Sequence, residues 1–137
     1  MRNRVIIIFL IFFISCGERN NYIPDVFVNH EIDLNSPENI SLSALGGNLI
    51  IENQGYNGLI VYRFSNYEYH AFDKSCTYEP LTACAEIDSI SSSLAICNCC
   101  NSVFLLDQDG SVANGPAILS LKRYSTFLDG NMLFISN

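Results

Sequence analysis

Residues 97–100 read Cys-Asn-Cys-Cys, and the residues after them narrow the possible folds sharply. The three cysteines lead into a short apolar run, Val103–Leu106, and then into Asp109-Gly110, a strong tight-turn signal. Val112 opens a short return segment, and Asn114-Gly115-Pro116 makes a second turn. A stretch of this kind is a cysteine-bearing loop that feeds a β-hairpin and closes in a Gly-Pro loop.

The rest of the chain supplies more short strands. Along Val26–Leu34, Val26, Val28, His30, Ile32 and Leu34 share one face, opposite Asn29, Glu31 and Asp33. That alternation predicts a half-buried strand, which Ser36-Pro37 ends. Asn39–Leu45 reads as an irregular segment or a short turn of helix. Asn48–Glu52, Leu59–Phe64 and Tyr67–Asp73 read as strands separated by Gly46-Gly47, by the glycine-rich stretch Gln54–Gly58, and by Asn66. In the last of these strands Tyr67, Tyr69 and Ala71 share one face, and His70 lies opposite with Glu68 and Phe72. His30 and His70 read as strand side chains. Lys74–Pro80 is a first cysteine loop, and Thr82–Ser93, which holds Cys84, reads as a long connection. Leu94–Cys97 enters the second cysteine loop. Leu119 to Phe127 leads to an Asp129-Gly130 turn and a closing strand, Met132–Ile135. No segment sustains a helical period, so the expected fold is an all-β antiparallel sandwich or small barrel.

The two cysteine loops resemble a Rieske iron–sulfur domain. Its second half reads C-x-C-H-G-S-x-F, then a D-G turn, G-P-A, a leucine and a tyrosine. Cys97, Cys99, Ser102, Phe104, Asp109, Gly110, Gly115, Pro116, Ala117, Leu121 and Tyr124 fall in the matching places. The first half is C-x-H after an aromatic and an acidic residue, matched by Phe72, Asp73 and Cys76. The pattern departs where its ligand histidines stand: Tyr78 and Cys100 take those places, and Asn101 replaces a glycine. The resemblance implies an all-β Rieske-like fold carrying the two cysteine loops as a subdomain. A Rieske centre holds one iron by two cysteines and the other by two histidines. Carried over, Cys76 and Cys97 are the cysteine ligands, Cys100 is a further candidate if a cluster is bound, and Tyr78 marks a degenerate ligand position. The resemblance also implies a disulfide between the loops, with Cys99 as one member and Cys84 as the available partner. The expected cofactor is therefore none, or a [2Fe-2S] cluster in a modified shell.

The first residues carry a different signal. Arg2 and Arg4 precede an apolar run, Val5–Ile14, too short to span a bilayer comfortably, and Ser15-Cys16-Gly17 ends it abruptly. A small residue and a cysteine at this point resemble a bacterial lipobox, which implies that residues 1–15 are a signal peptide and that Cys16 is lipidated. The polar stretch 16–24 then reads as a tether and 25–137 as one domain. The mature chain would carry five basic and fourteen acidic residues, a net charge near minus nine. That excess disfavours nucleic acid and leaves membrane attachment to the lipid. The expected location is the cell envelope, anchored in the outer membrane and facing the periplasm or the outside.

Cys76, Cys84, Cys97, Cys99 and Cys100 would then sit in an oxidising compartment, where disulfides are expected; their odd number leaves at least one unpaired. Three hypotheses stand. The first is a Rieske-fold lipoprotein whose ordinary cluster is lost or altered, stapled by disulfides and acting as a binding or structural module with an unidentified protein partner. The second is an electron-transfer protein with a [2Fe-2S] cluster in a cysteine-rich shell. The third is a zinc site from Cys76, Cys84, Cys97 and Cys100, whose only C-x-x-C pair is Cys97 with Cys100. That pair also resembles a thioredoxin-type redox motif, without the helix and βαβ setting the motif requires. No Ser-His-Asp order, no carboxylate pair beside a histidine and no nucleotide loop is present, so no enzyme is expected.

Overall fold

A computed structural model describes residues 22–137. The stretch read as a signal peptide, Cys16 and most of the stretch read as a tether lie outside the described residues. Ten short strands form two antiparallel sheets. They are β1 (Asn29–Asp33), β2 (Asn48–Ile51), β3 (Leu59–Arg63), β4 (Tyr69–Asp73), β5 (Ser89–Ser91), β6 (Leu94–Cys97), β7 (Ser102–Leu105), β8 (Ser111–Asn114), β9 (Arg123–Asp129) and β10 (Met132–Ser136). The first sheet has the order β1-β10-β9-β4-β3-β2, and the second β5-β6-β7-β8. The domain is all-β and Rieske-like, with the larger sheet curled into a half-barrel.

The curled sheet closes around Val28, Ile32, Leu59, Val61, Tyr69, Ala71, Leu133 and Ile135. Its other face meets the second sheet through Ile60, Phe72, Ala95, Cys97, Phe104 and Leu106. Strands β3 and β4 therefore have a core on each side, and all five residues of β4 are buried. This explains why Leu59–Tyr62 is a continuous apolar run: a central strand covered on both faces has no polar side to present. The alternation along β4 persists, with Tyr69 and Ala71 facing one core and Phe72 the other.

The strand expected over Tyr67–Asp73 begins at Tyr69 and leaves Tyr67 exposed, and two other strands differ more. The first strand is shorter than Val26–Leu34. Its start is replaced by side-chain bonds from the C-terminal Asn137, whose Oδ1 accepts the Val28 N–H (3.1 Å) and whose Nδ2 donates to the Val26 carbonyl (2.7 Å). The supposed connection Thr82–Ser93 contains β5, a Ser-Ile-Ser edge strand with no apolar pattern of its own, which forms because β6 offers it a ladder. Ile23 and Pro24, at the end of the stretch read as tether, pack on the domain: Ile23 is buried and the Lys122 ammonium donates to the Pro24 carbonyl and to Asp25.

The Asp109-Gly110 turn is where the two sheets are pinned together. A 3₁₀ turn, Leu106–Gln108, ends in Asp109 and Gly110, both left-handed (φ 55° and 70°). A β-carbon on Gly110 would lie 2.9 Å from Leu121 Cβ and 3.0 Å from the Phe72 ring. Strain and overpacking act together there, so Gly110→Ala is expected to cost about 2 kcal/mol, read as a lowered thermal midpoint.

Candidate metal-binding site

The two cysteine loops leave the sheets side by side. The first begins at the end of β4. It doubles back on itself, with the Cys76 N–H donating to the Ala85 carbonyl (2.9 Å) and the Ile87 N–H to the Lys74 carbonyl (2.7 Å). The second, Asn98–Asn101, joins β6 to β7 with Cys97 paired to Ser102. Asn101 takes a left-handed conformation, φ 60°. Asparagine tolerates that region better than other side chains, which accounts for its standing where the Rieske pattern has glycine.

A covalent link and a set of hydrogen bonds tie the loops. Cys84 and Cys99 form a disulfide, with sulfurs 1.97 Å and Cα atoms 5.7 Å apart. The Thr77 hydroxyl donates to the Leu119 carbonyl (2.5 Å), joining the first loop to the Gly-Pro segment. Ser102 Oγ accepts the Ala117 N–H (3.0 Å), joining the second loop to it as well. At the base of the first loop lies Asp73, fully buried, whose carboxylate accepts from the Tyr56, Asn57 and Ser75 backbone N–H groups and from the Ser75 and Tyr124 hydroxyls. Burial and the bond to Asp73 push the Tyr124 phenol well up from its ordinary value, so it stays a donor.

Three thiols converge between the loops. Cys76, Cys97 and Cys100 are unbridged, and their sulfurs all lie within 4.8 Å of one another. Cys100 Sγ is 3.5 Å from Cys76 Sγ and 3.5 Å from Cys97 Sγ. Cys100 Sγ also lies 3.1 Å from Ser102 Oγ. Burial pushes the Cys76 and Cys97 thiols up. Burial also opposes the Cys100 thiolate, but the polar groups of Ser102 and the two neighbouring thiols favour it and hold Cys100 below the ordinary thiol value. Cys100 is partly exposed and the other two are not. Iodoacetamide is therefore expected to label Cys100 at least ~10-fold faster than Cys76 or Cys97, at a rate that rises with pH as the thiolate forms. Peptide mass spectrometry reads the order.

The other sequence candidates lie elsewhere. Tyr78 is 38% exposed. The protein has two histidines, and His70 is buried with both ring nitrogens engaged, Nδ1 with the Leu106 carbonyl and Nε2 with Glu68, each at 3.1 Å. His30 lies on β1, in the larger sheet. A zinc site that includes Cys84 is excluded, because Cys84 is bonded to Cys99. A cleft of about 340 Å³, lined by Arg63, Tyr67, Tyr69 and Asn131 among others, contains no cysteine.

The sulfur arrangement can be compared with what a two-iron centre requires. Such a cluster takes two ligands on each iron, in two separate pairs. Cys100, in a histidine's place, is equidistant from the two cysteines assigned to the other iron. The three sulfurs surround one point, and no histidine supplies a second pair, so the ordinary cluster does not fit these residues.

No family model and no curated protein matches the chain. Solved structures do. The chain is similar to the plasma-membrane Rieske protein PetC3 of the cyanobacterium Synechocystis PCC 6803, with 26% identity and a TM-score of 0.54 over 70% of this chain and 91% of that one. It also aligns with a chain in the complex of reduced oxygenase and oxidized ferredoxin in carbazole 1,9a-dioxygenase (17% identity, TM-score 0.47, covering 66% of this chain and 81% of that one). A third similarity is to the ferredoxin of Sphingomonas yanoikuyae B1 (18%, TM-score 0.45, covering 58% and 74%).

Proposed function

We propose, on the premise that the domain is Rieske-like, that this protein is a lipid-anchored lipoprotein of the bacterial cell envelope. Its ordinary two-iron centre has been replaced by an altered cysteine site, and it works as a disulfide-stapled binding module rather than as an enzyme. One observation carries the reading. Cys100 Sγ sits 3.5 Å from both Cys76 Sγ and Cys97 Sγ, which leaves no separate ligand pair for a second iron.

Other features support it. The Cys84–Cys99 bond ties the two loops together, and the Asp73 hydrogen bonds anchor the start of the first. Tyr78, Leu81, Ile118 and Leu119, on the loops flanking the thiols, are exposed. Apolar side chains grouped at the tip of a strongly acidic domain suit contact with a protein partner. The apolar leader ending at Cys16 supports the lipid anchor, and with it attachment to the outer membrane.

The test is iron and acid-labile sulfide content, with a visible spectrum, on protein purified anaerobically from its native membrane. The expected result is neither iron nor sulfide. About two irons and two sulfides per chain would overturn the reading and make the protein an electron carrier with a cysteine-rich shell. Cys16→Ser is expected to move the protein from the membrane fraction to the soluble one, as judged by fractionation; retention in the membrane would remove the anchor from the proposal.

A further inference from the structure

Three sulfurs at equal distance from one ion obey a simple spacing rule. With metal–sulfur bonds of about 2.3 Å in a plane, they stand roughly 4.0 Å apart. In this protein two of the separations are 3.5 Å and all three fall within 4.8 Å, so a single ion fits between the sulfurs with small side-chain adjustments. The surroundings are those of a metal–thiolate centre. Ser102 Oγ lies 3.1 Å from Cys100 Sγ, close enough for its hydroxyl to stabilise negative charge there. Cys76 and Cys97 are wholly buried, which keeps water from the inner side of the site.

The donor set also selects the ion. Among the described residues, Cys76, Cys97 and Cys100 gather no carboxylate or imidazole into their group. Cys84 and Cys99 are bonded to each other, and the Ser102 hydroxyl holds the Ala117 N–H. Structural zinc is almost always four-coordinate and would lack a ligand here. A hard cation would find no oxygen shell. A soft cation content with three thiolates is the class that fits.

We propose that Cys76, Cys97 and Cys100 form a three-sulfur site for one cuprous ion. This rests on the reading that the two-iron centre is gone and names what the altered site takes. Binding converts three thiols to thiolates and releases three protons to solvent. The ion keeps its charge and nothing is oxidised. Cys100, the partly exposed member, gives the ion its way in.

The experiment uses the full mature lipoprotein in detergent, purified anaerobically with the Cys84–Cys99 bond confirmed by mass spectrometry. Cuprous ion is presented as its coloured complex with bathocuproine disulfonate. The expected result is withdrawal of one copper per chain from the chelator, with an ultraviolet thiolate-to-copper band and a three-sulfur shell by X-ray absorption. Cys100→Ser, at a partly exposed position, is expected to keep the fold by circular dichroism and weaken binding at least ~100-fold. Tyr78→Phe is expected to leave binding unchanged.

Copper left on the chelator by a chain with three free thiols would overturn this inference while leaving the loss of the iron centre intact. So would loss of binding in Tyr78→Phe, zinc that one equivalent of cuprous ion does not displace, or a second native disulfide among the three cysteines. Iron and sulfide in the native protein would instead overturn the functional reading beneath it.

Discussion

Replacing Asp73 by alanine is expected to destabilise the domain by about 4 kcal/mol, because one side chain satisfies several buried donors at once. The carboxylate is fully buried and holds three separate parts of the chain. Tyr56 N–H reaches it from the β2–β3 turn at 2.6 Å, Ser75 N–H from the start of the first cysteine loop at 3.0 Å, and Tyr124 Oη from β9 at 2.8 Å. Alanine would leave those donors buried without an acceptor, at about 1–3 kcal/mol each before relaxation. Tyr124→Phe removes one donor and leaves the carboxylate its other partners, so about 1 kcal/mol is expected. The contrast between the two, measured by denaturant unfolding, separates a shared hub from a single hydrogen bond. Equal costs would show that the Tyr124 contact alone matters. Because Ser75 precedes Cys76, Asp73→Ala is also expected to loosen the thiol cluster and bring Cys76 into reach of iodoacetamide.

Removing the disulfide is expected to cost about 3 kcal/mol. Cys84 and Cys99 are separated by 15 residues, and the bond restricts that segment in the unfolded chain. The double substitution Cys84→Ser with Cys99→Ser is the clean form of the test. A single substitution would free a thiol beside or opposite Cys100 and invite exchange with the cluster. The thermal midpoint should fall by several degrees, with the two sheets retained by circular dichroism. A midpoint unchanged within a degree would mean that the Thr77–Leu119 and Ser102–Ala117 bonds already hold the loops.

Much of this architecture is legible in the order of residues. Period-two alternation in Val26–Leu34 and Tyr67–Asp73 marks strands because successive side chains of an extended chain point to opposite faces. Asp109-Gly110 and Asp129-Gly130 mark hairpins because few residues accept a left-handed backbone. The cysteine positions, with Ser102, Phe104 and Gly115-Pro116, carry the resemblance to a Rieske domain, and the fold agrees with it. The absence of histidine at Tyr78 and Cys100 is equally plain. Strand β5 was not legible, because Ser-Ile-Ser has no pattern that distinguishes it from a loop until β6 lies beside it.

What required the folded chain were contacts between residues far apart in sequence. Asp73 reads as one acidic residue before a cysteine loop; its role depends on Tyr56 and Tyr124, 17 and 51 residues away. The two-sided burial of β3 and β4 depends on the second sheet arriving on one face. The thiol cluster has the same origin. Cys97 and Cys100 are neighbours by spacing, but Cys76 joins them only because both loops spring from packed sheet edges and are laced by Cys84–Cys99. Local sequence sets backbone conformation and the choice of face. The meeting of three sulfurs around one point is set by packing, since no local preference acts across the sequence separation of 24 from Cys76 to Cys100.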